Sequence, residues 1–111
     1  HRDVREATPP FEEAVDKVWE LICEANLTEG KEKPPVKMFS SLSDGGAQLQ
    51  GFYRDGVVYL HESLGEGEAL LETALEEVAH YVTGATDCSR DFQNYLLKLA
   101  VRLSNKEAIV V

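Results

Sequence analysis

The stretch that decides the fold is "LETALEEVAHYVTGATD", residues 71–87. Apolar side chains recur every three or four positions from Leu70 to Val82, which is the spacing of one helix face. The other side of the same segment carries glutamate, threonine and histidine side chains. Gly84 follows at the position where a left-handed residue commonly ends a helix. We therefore predict an amphipathic helix over residues 68–82.

The sequence before and after this helix predicts a second structural layer. Pro9 and Pro10 open an earlier run with helical spacing, since proline is tolerated in a first helical turn. Residues 36–42 alternate as in a strand, and residues 47–61 form two strand-like runs around the hairpin signal at 55–56. A third helix is expected to begin between Asp87 and Ser89.

These elements together predict the fold class and the domain limits. The order of helix, strands and two helices is typical of an α+β domain in which helices cover one face of a short sheet. We expect a three-stranded, mainly antiparallel sheet and one domain over residues 9–111. Residues 1–8 are polar and are predicted to be a flexible lead-in. The first residue is histidine rather than methionine, so we expect either a trimmed sequence or a piece of a longer protein.

Composition and charge limit the class of partner. The 20 acidic residues against 11 basic residues give a formal net charge of −9, which disfavours binding to nucleic acid or to an anionic membrane. A basic partner or a cation is favoured instead. No apolar run reaches membrane-spanning length, and the N-terminus has no signal-peptide core. Cys23 and Cys88 form neither a zinc-ribbon nor a disulfide pattern, so we expect a cytoplasmic protein.

The end of the long helix contains one chemical motif. Glu76, Glu77 and His80 have the spacing of H-E-x-x-H with its first histidine replaced by glutamate. In that motif, side chains four positions apart on one helix face bind a single Zn²⁺, and the intervening glutamate acts as general base on the metal-bound water. A carboxylate in the first position can also bind a metal ion, at a similar distance.

Residues 57–93, "VVYLHESLGEGEALLETALEEVAHYVTGATDCSRDFQ", resemble the strand, active helix and following helix of the minimal zincin-like metallopeptidases. The resemblance implies that Glu77 matches the general base and His80 the second metal ligand. It places Glu76 at the position of the first ligand and Asp87, beyond the glycine-containing turn, at that of the third. It also implies that the strand 57–61 is an edge strand that lines the cleft for an extended peptide.

Each candidate residue also has a structural explanation. Glutamates on a helix are most often solvated surface charges, and His80 near the helix C-terminus complements the helix dipole. Asp87 and Ser89 both suit the N-cap of the next helix. Val57, Tyr59 and His61 are assigned to the cleft strand, yet a histidine on a strand is more often packed or hydrogen-bonded than a ligand. The alternative is that His61 approaches His80 and replaces the missing first ligand.

Two functions remain open from the sequence. The first is a degenerate zincin-like domain without peptidase activity and without a cofactor, which binds a basic peptide or protein segment as a regulatory part of a larger protein. The alternative is an active metal-dependent hydrolase in which Glu76, His80 and Asp87 hold zinc or another divalent metal and Glu77 is the base. Two carboxylates and one imidazole favour harder ions and leave a bound water less acidic. The sequence does not indicate the oligomeric state.

Overall fold

Helices α1 and α2 pack on one face of a four-stranded sheet, and α3 packs against both of them. This is the arrangement in the computed structural model of the protein, which describes residues 3–40, 50–85 and 89–110. The elements in chain order are β1 (Asp3–Glu6), α1 (Pro9–Glu24), β2 (Val36–Ser40), β3 (Gly51–Arg54), β4 (Val57–His61), a short 3-10 helix (Glu62–Leu64), α2 (Glu68–Thr83) and α3 (Arg90–Val110). The predicted α+β class is confirmed.

The predicted ends of α1, α2 and the hairpin follow from local chemistry. Helix α1 begins at Pro9, and α2 ends at Thr83 because Gly84 adopts a left-handed conformation with a φ of 69°. The Gly84 amide donates to the His80 carbonyl at 2.8 Å, which closes the last turn. Asp55 and Gly56 both have positive φ, at 51° and 80°, as a two-residue turn between antiparallel strands requires.

The sheet differs from the prediction in the number and direction of its strands. The strand order is β1-β2-β4-β3, with β1–β2 and β3–β4 antiparallel and β2–β4 parallel. The prediction of three strands is therefore wrong, because the sheet has four. The sheet is mixed, since two of its three pairings are antiparallel and one is parallel. The additional strand lies in residues 1–8, the predicted flexible lead-in. It could not be recognised because an outer strand pairs through its backbone and needs no apolar alternation.

Strand β4 is an inner strand, since it pairs with β2 on one side and with β3 on the other. The prediction that residues 57–61 form an edge strand is therefore wrong. Val58 and Leu60 are fully buried among the helices. Because successive side chains alternate between the two faces of a sheet, Val57, Tyr59 and His61 project from the opposite face. They do not line a surface that faces α2.

The hydrophobic core lies between the sheet and the three helices. Its fully buried members with exposure of 0% come from α1, β4 and α2: Ile22, Val58, Leu60, Ala74, Val78 and Ala79. Helix α3 adds Phe92, Tyr95 and Leu99, which are each at least 94% buried. Within the described ranges, none of the helices has the length and apolar character needed to cross a bilayer.

Candidate functional site

A cleft of about 310 Å³ lies between the outer strand β3 and helix α2. Strand β3 forms one wall, and α2 with the residues directly after it forms the other. The lining residues are Gly51, Phe52, Tyr53, Glu77, His80, Gly84 and Ala85. Two of the residues predicted from the sequence, Glu77 and His80, therefore share one surface. They are three positions apart, so they lie on the same side of the helix.

Glu77 is held against β3 by a close approach of strand and helix. The residue is only 8% exposed. A Cβ atom at Gly51 would lie 2.9 Å from Thr73 Cγ2, 3.1 Å from the Tyr59 carbonyl oxygen and 3.2 Å from Glu77 Cγ. Glycine at position 51 therefore lets the strand backbone pack directly on α2 beside the Glu77 side chain.

Gly51→Ala should lower the free energy of unfolding by about 1–2 kcal/mol, because the added methyl group overpacks the contact between β3 and α2. The methyl group of Thr73 is its nearest neighbour. Adding Thr73→Ser removes that neighbour, so the double variant should recover part of the loss, as measured by urea denaturation in a double-mutant cycle. Additive effects of the two substitutions would contradict the close approach.

His80 is oriented by two contacts. Its Nδ1 lies 2.7 Å from the carbonyl oxygen of Ala85, and its ring stacks on Phe92 with centroids 4.2 Å apart. A carbonyl oxygen can only accept, so Nδ1 carries the proton of this hydrogen bond. In the neutral imidazole the lone pair is then on Nε2. The turn after α2 thus determines both the tautomer and the orientation of the ring.

Glu76 does not line the cleft with these two residues. Glu76 is exposed and lines a separate depression with Glu72 and Leu96, on the side of α2 that faces α3. It precedes Glu77 by one residue, a rotation of about 100° around the helix, so the two carboxylates face different surroundings. Asp87 lies outside the described residues.

His61 is a packed and hydrogen-bonded residue, as the structural explanation predicted. It is 6% exposed, and its ring meets Phe39 edge-on at 5.0 Å between centroids. Its Nδ1 accepts a hydrogen bond from the Ser63 amide at 3.0 Å. The sheet separates this side chain from α2, because His61 projects from the face opposite the helices. The alternative, in which it approaches His80, is therefore wrong.

Among the described residues, the possible metal ligands in the cleft are Glu77 and His80. Among the residues that the structure describes, there is no group of three histidine, cysteine, aspartate or glutamate side chains that could hold a metal ion. A zinc site of this class needs three protein ligands besides the general base. Glu77 and His80 alone do not supply three ligands and a base.

Strand β3 forms a wall of the cleft that was not predicted from the sequence. The carbonyl of Gln50 accepts a hydrogen bond from the His61 amide at 2.9 Å. Paired residues of an antiparallel ladder alternate between bonded and non-bonded positions, so the backbone groups of Gly51 and Tyr53 point away from β4. A glycine inside a strand pattern often marks a close backbone approach, and this signal could have identified the wall.

Comparison of the chain with family models, curated proteins and solved structures gave no match. The resemblance to zincin-like metallopeptidases therefore stays a prediction, and the geometry of the cleft is the basis for assigning a function.

Proposed function

We propose that this protein is a degenerate zincin-like domain that binds an extended peptide segment along the outer edge of β3. The observation that carries the proposal is the cleft between β3 and α2, which places an outer strand beside Glu77 and His80. In zincin-like clefts an extended peptide pairs with an edge strand, and such strand addition needs no catalysis.

The backbone of β3 offers the groups that strand addition requires. Gly51 and Tyr53 point their amide and carbonyl groups away from β4, and within the described part of the chain β4 is the strand partner of β3. Tyr53 is 37% exposed, and its ring contacts the Tyr81 ring at 5.7 Å between centroids. A peptide on this edge would therefore pair with the backbone of β3 and lie beside the cleft.

The charge of the protein favours a basic peptide. The net charge of −9 attracts a cationic segment at long range, and the Glu77 carboxylate belongs to the cleft wall. Because most of the acidic side chains are exposed, salt should weaken the attraction. The alternative of a metal-dependent hydrolase is less well supported, since the described donors at the cleft are fewer than three.

Titration with a lysine-rich extended peptide of about eight residues should shift the amide NMR signals of Gly51 and Tyr53 and the ring signals of His80. The substitution Tyr53→Pro should weaken binding at least about tenfold, because proline removes an outward N–H group that a peptide strand needs. It leaves the ladder with β4 intact, since the Tyr53 amide does not point toward that strand.

Tyr53→Ala is the matched control, because it removes the same aromatic ring and keeps the N–H group. It should weaken binding much less than Tyr53→Pro, and circular dichroism should show that both variants fold. Equal affinities for the two variants would contradict pairing along β3. Shifts restricted to α1 would also contradict it.

A further inference from the structure

A groove lined mainly by leucine runs between α1, α2 and α3 and shares no residue with the cleft. Its volume is about 390 Å³. Leucines from all three helices form its walls: Leu21 from α1, Leu71 and Leu75 from α2, and Leu96, Leu99 and Leu103 from α3. Leu21 is 37% exposed, so a large apolar side chain at the groove faces water. A concave site of this volume with mainly apolar lining is typical of a binding site.

The shape of the groove suits one helix. Helices α1 and α3 both pack on α2, and the groove lies where the three meet. An amphipathic helix laid between them would place leucine-sized side chains against all three walls and complete a local four-helix arrangement. Such grooves recognise apolar anchors spaced at i, i+3, i+4 and i+7.

The charges along α2 indicate which kind of helix would bind. An adjoining depression of about 300 Å³ shares Glu72, Leu75 and Leu96 with the groove and adds Glu76. Glu68 is exposed one turn earlier, so carboxylates at 68, 72 and 76 form an acidic edge on one side of α2. The groove and the depression include the two at 72 and 76. The groove also includes Lys17, and Lys98 is exposed on α3. A second copy of this chain would bring a further charge of −9 toward the acidic edge, which opposes self-association.

We infer that the leucine groove binds an amphipathic helix of a partner protein, with apolar anchors in the groove and lysine or arginine beside the acidic edge of α2. This site is independent of the peptide cleft. It also gives Glu76 a role as an electrostatic contact, in a depression that His80 does not line.

The test uses a synthetic helical peptide of about 16 residues with leucines at i, i+3, i+4 and i+7 and flanking lysines, and an otherwise identical peptide with glutamates in place of the lysines. Fluorescence polarisation should show that the lysine peptide binds saturably. The glutamate peptide should bind with at least about tenfold lower affinity. Leu21→Ser should lower the affinity for the lysine peptide about tenfold, because it removes an apolar contact at the groove wall. The double variant Glu72→Gln/Glu76→Gln should lower the affinity for the same peptide about threefold at low salt.

Leu97→Ser is the matched control on α3, since Leu97 is 64% exposed and does not line the groove. It should change the affinity by less than about twofold. Tyr53→Pro should also leave binding unchanged, because it alters the cleft alone. Absence of saturable binding, equal binding of the two peptides, or an equal loss with Leu97→Ser would overturn the inference. Concentration-dependent dimers abolished by Leu21→Ser would assign the groove to a second copy and overturn it as well.

Discussion

Leu60→Ala should lower the free energy of unfolding by about 2–5 kcal/mol, the largest loss that we expect from a single substitution in this protein. Leu60 lies on the inner strand β4 and has 0% exposure, so the substitution leaves a cavity between the sheet and the helices. A domain of this size has a total stability of about 5–15 kcal/mol, so the loss is a large fraction of it. Denaturation in urea, followed by circular dichroism, measures the change.

The control for this experiment is Leu97→Ala, which removes the same atoms from a side chain that is 64% exposed. It should change the stability by no more than about 0.5 kcal/mol. A loss below about 1 kcal/mol for Leu60→Ala would show that β4 does not turn this side chain toward the helices. The assignment of Val57, Tyr59 and His61 to the other face of the sheet would then be wrong too.

Raising the pH from 10 to 12 should destabilise the protein through Tyr95 by about 2 kcal/mol. Tyr95 is 6% exposed, and its hydroxyl donates to the Leu27 carbonyl at 2.8 Å. Burial, assisted by the negative charge of Glu29, raises the pKa of Tyr95 from 10.0 to about 12. In this range the unfolded chain releases the phenol proton while the folded protein retains it. Stability therefore falls with rising pH by about 1 kcal/mol per pH unit and is little affected by this group below about pH 9.

Tyr95→Phe separates this contribution from other groups that titrate at high pH. It should cost about 1 kcal/mol at neutral pH, because the Leu27 carbonyl loses its donor. It should also remove the Tyr95 part of the slope between pH 10 and 12, as measured by urea denaturation at each pH. The slope of stability against pH should also be measured for Tyr81→Phe, since burial raises the pKa of Tyr81 as well. An unchanged slope in Tyr95→Phe would mean that the Tyr95 phenol ionises equally in the folded and unfolded chain.

Local patterns of residues were enough to predict both helices that pack on the sheet and the turn of the hairpin. The period of apolar residues predicts α1 and α2, Gly84 ends α2 with a left-handed residue, and Asp55 with Gly56 forms the turn between β3 and β4. Each depends on interactions among neighbouring residues, which a linear pattern records. The spacing of Glu77 and His80 was likewise enough to place both on one side of α2.

Only the tertiary structure decided which strands are inner, which faces are buried and which candidate residues meet. Strand β1 adds to the sheet through backbone hydrogen bonds that leave no apolar pattern, and β4 becomes an inner strand because β2 pairs along it in parallel. The burial of Val58 and Leu60 under the helices turns His61 to the opposite face of the sheet, while Gly51 lets β3 pack directly on α2 beside Glu77. These contacts join segments far apart in the chain, so no local pattern of residues specifies them.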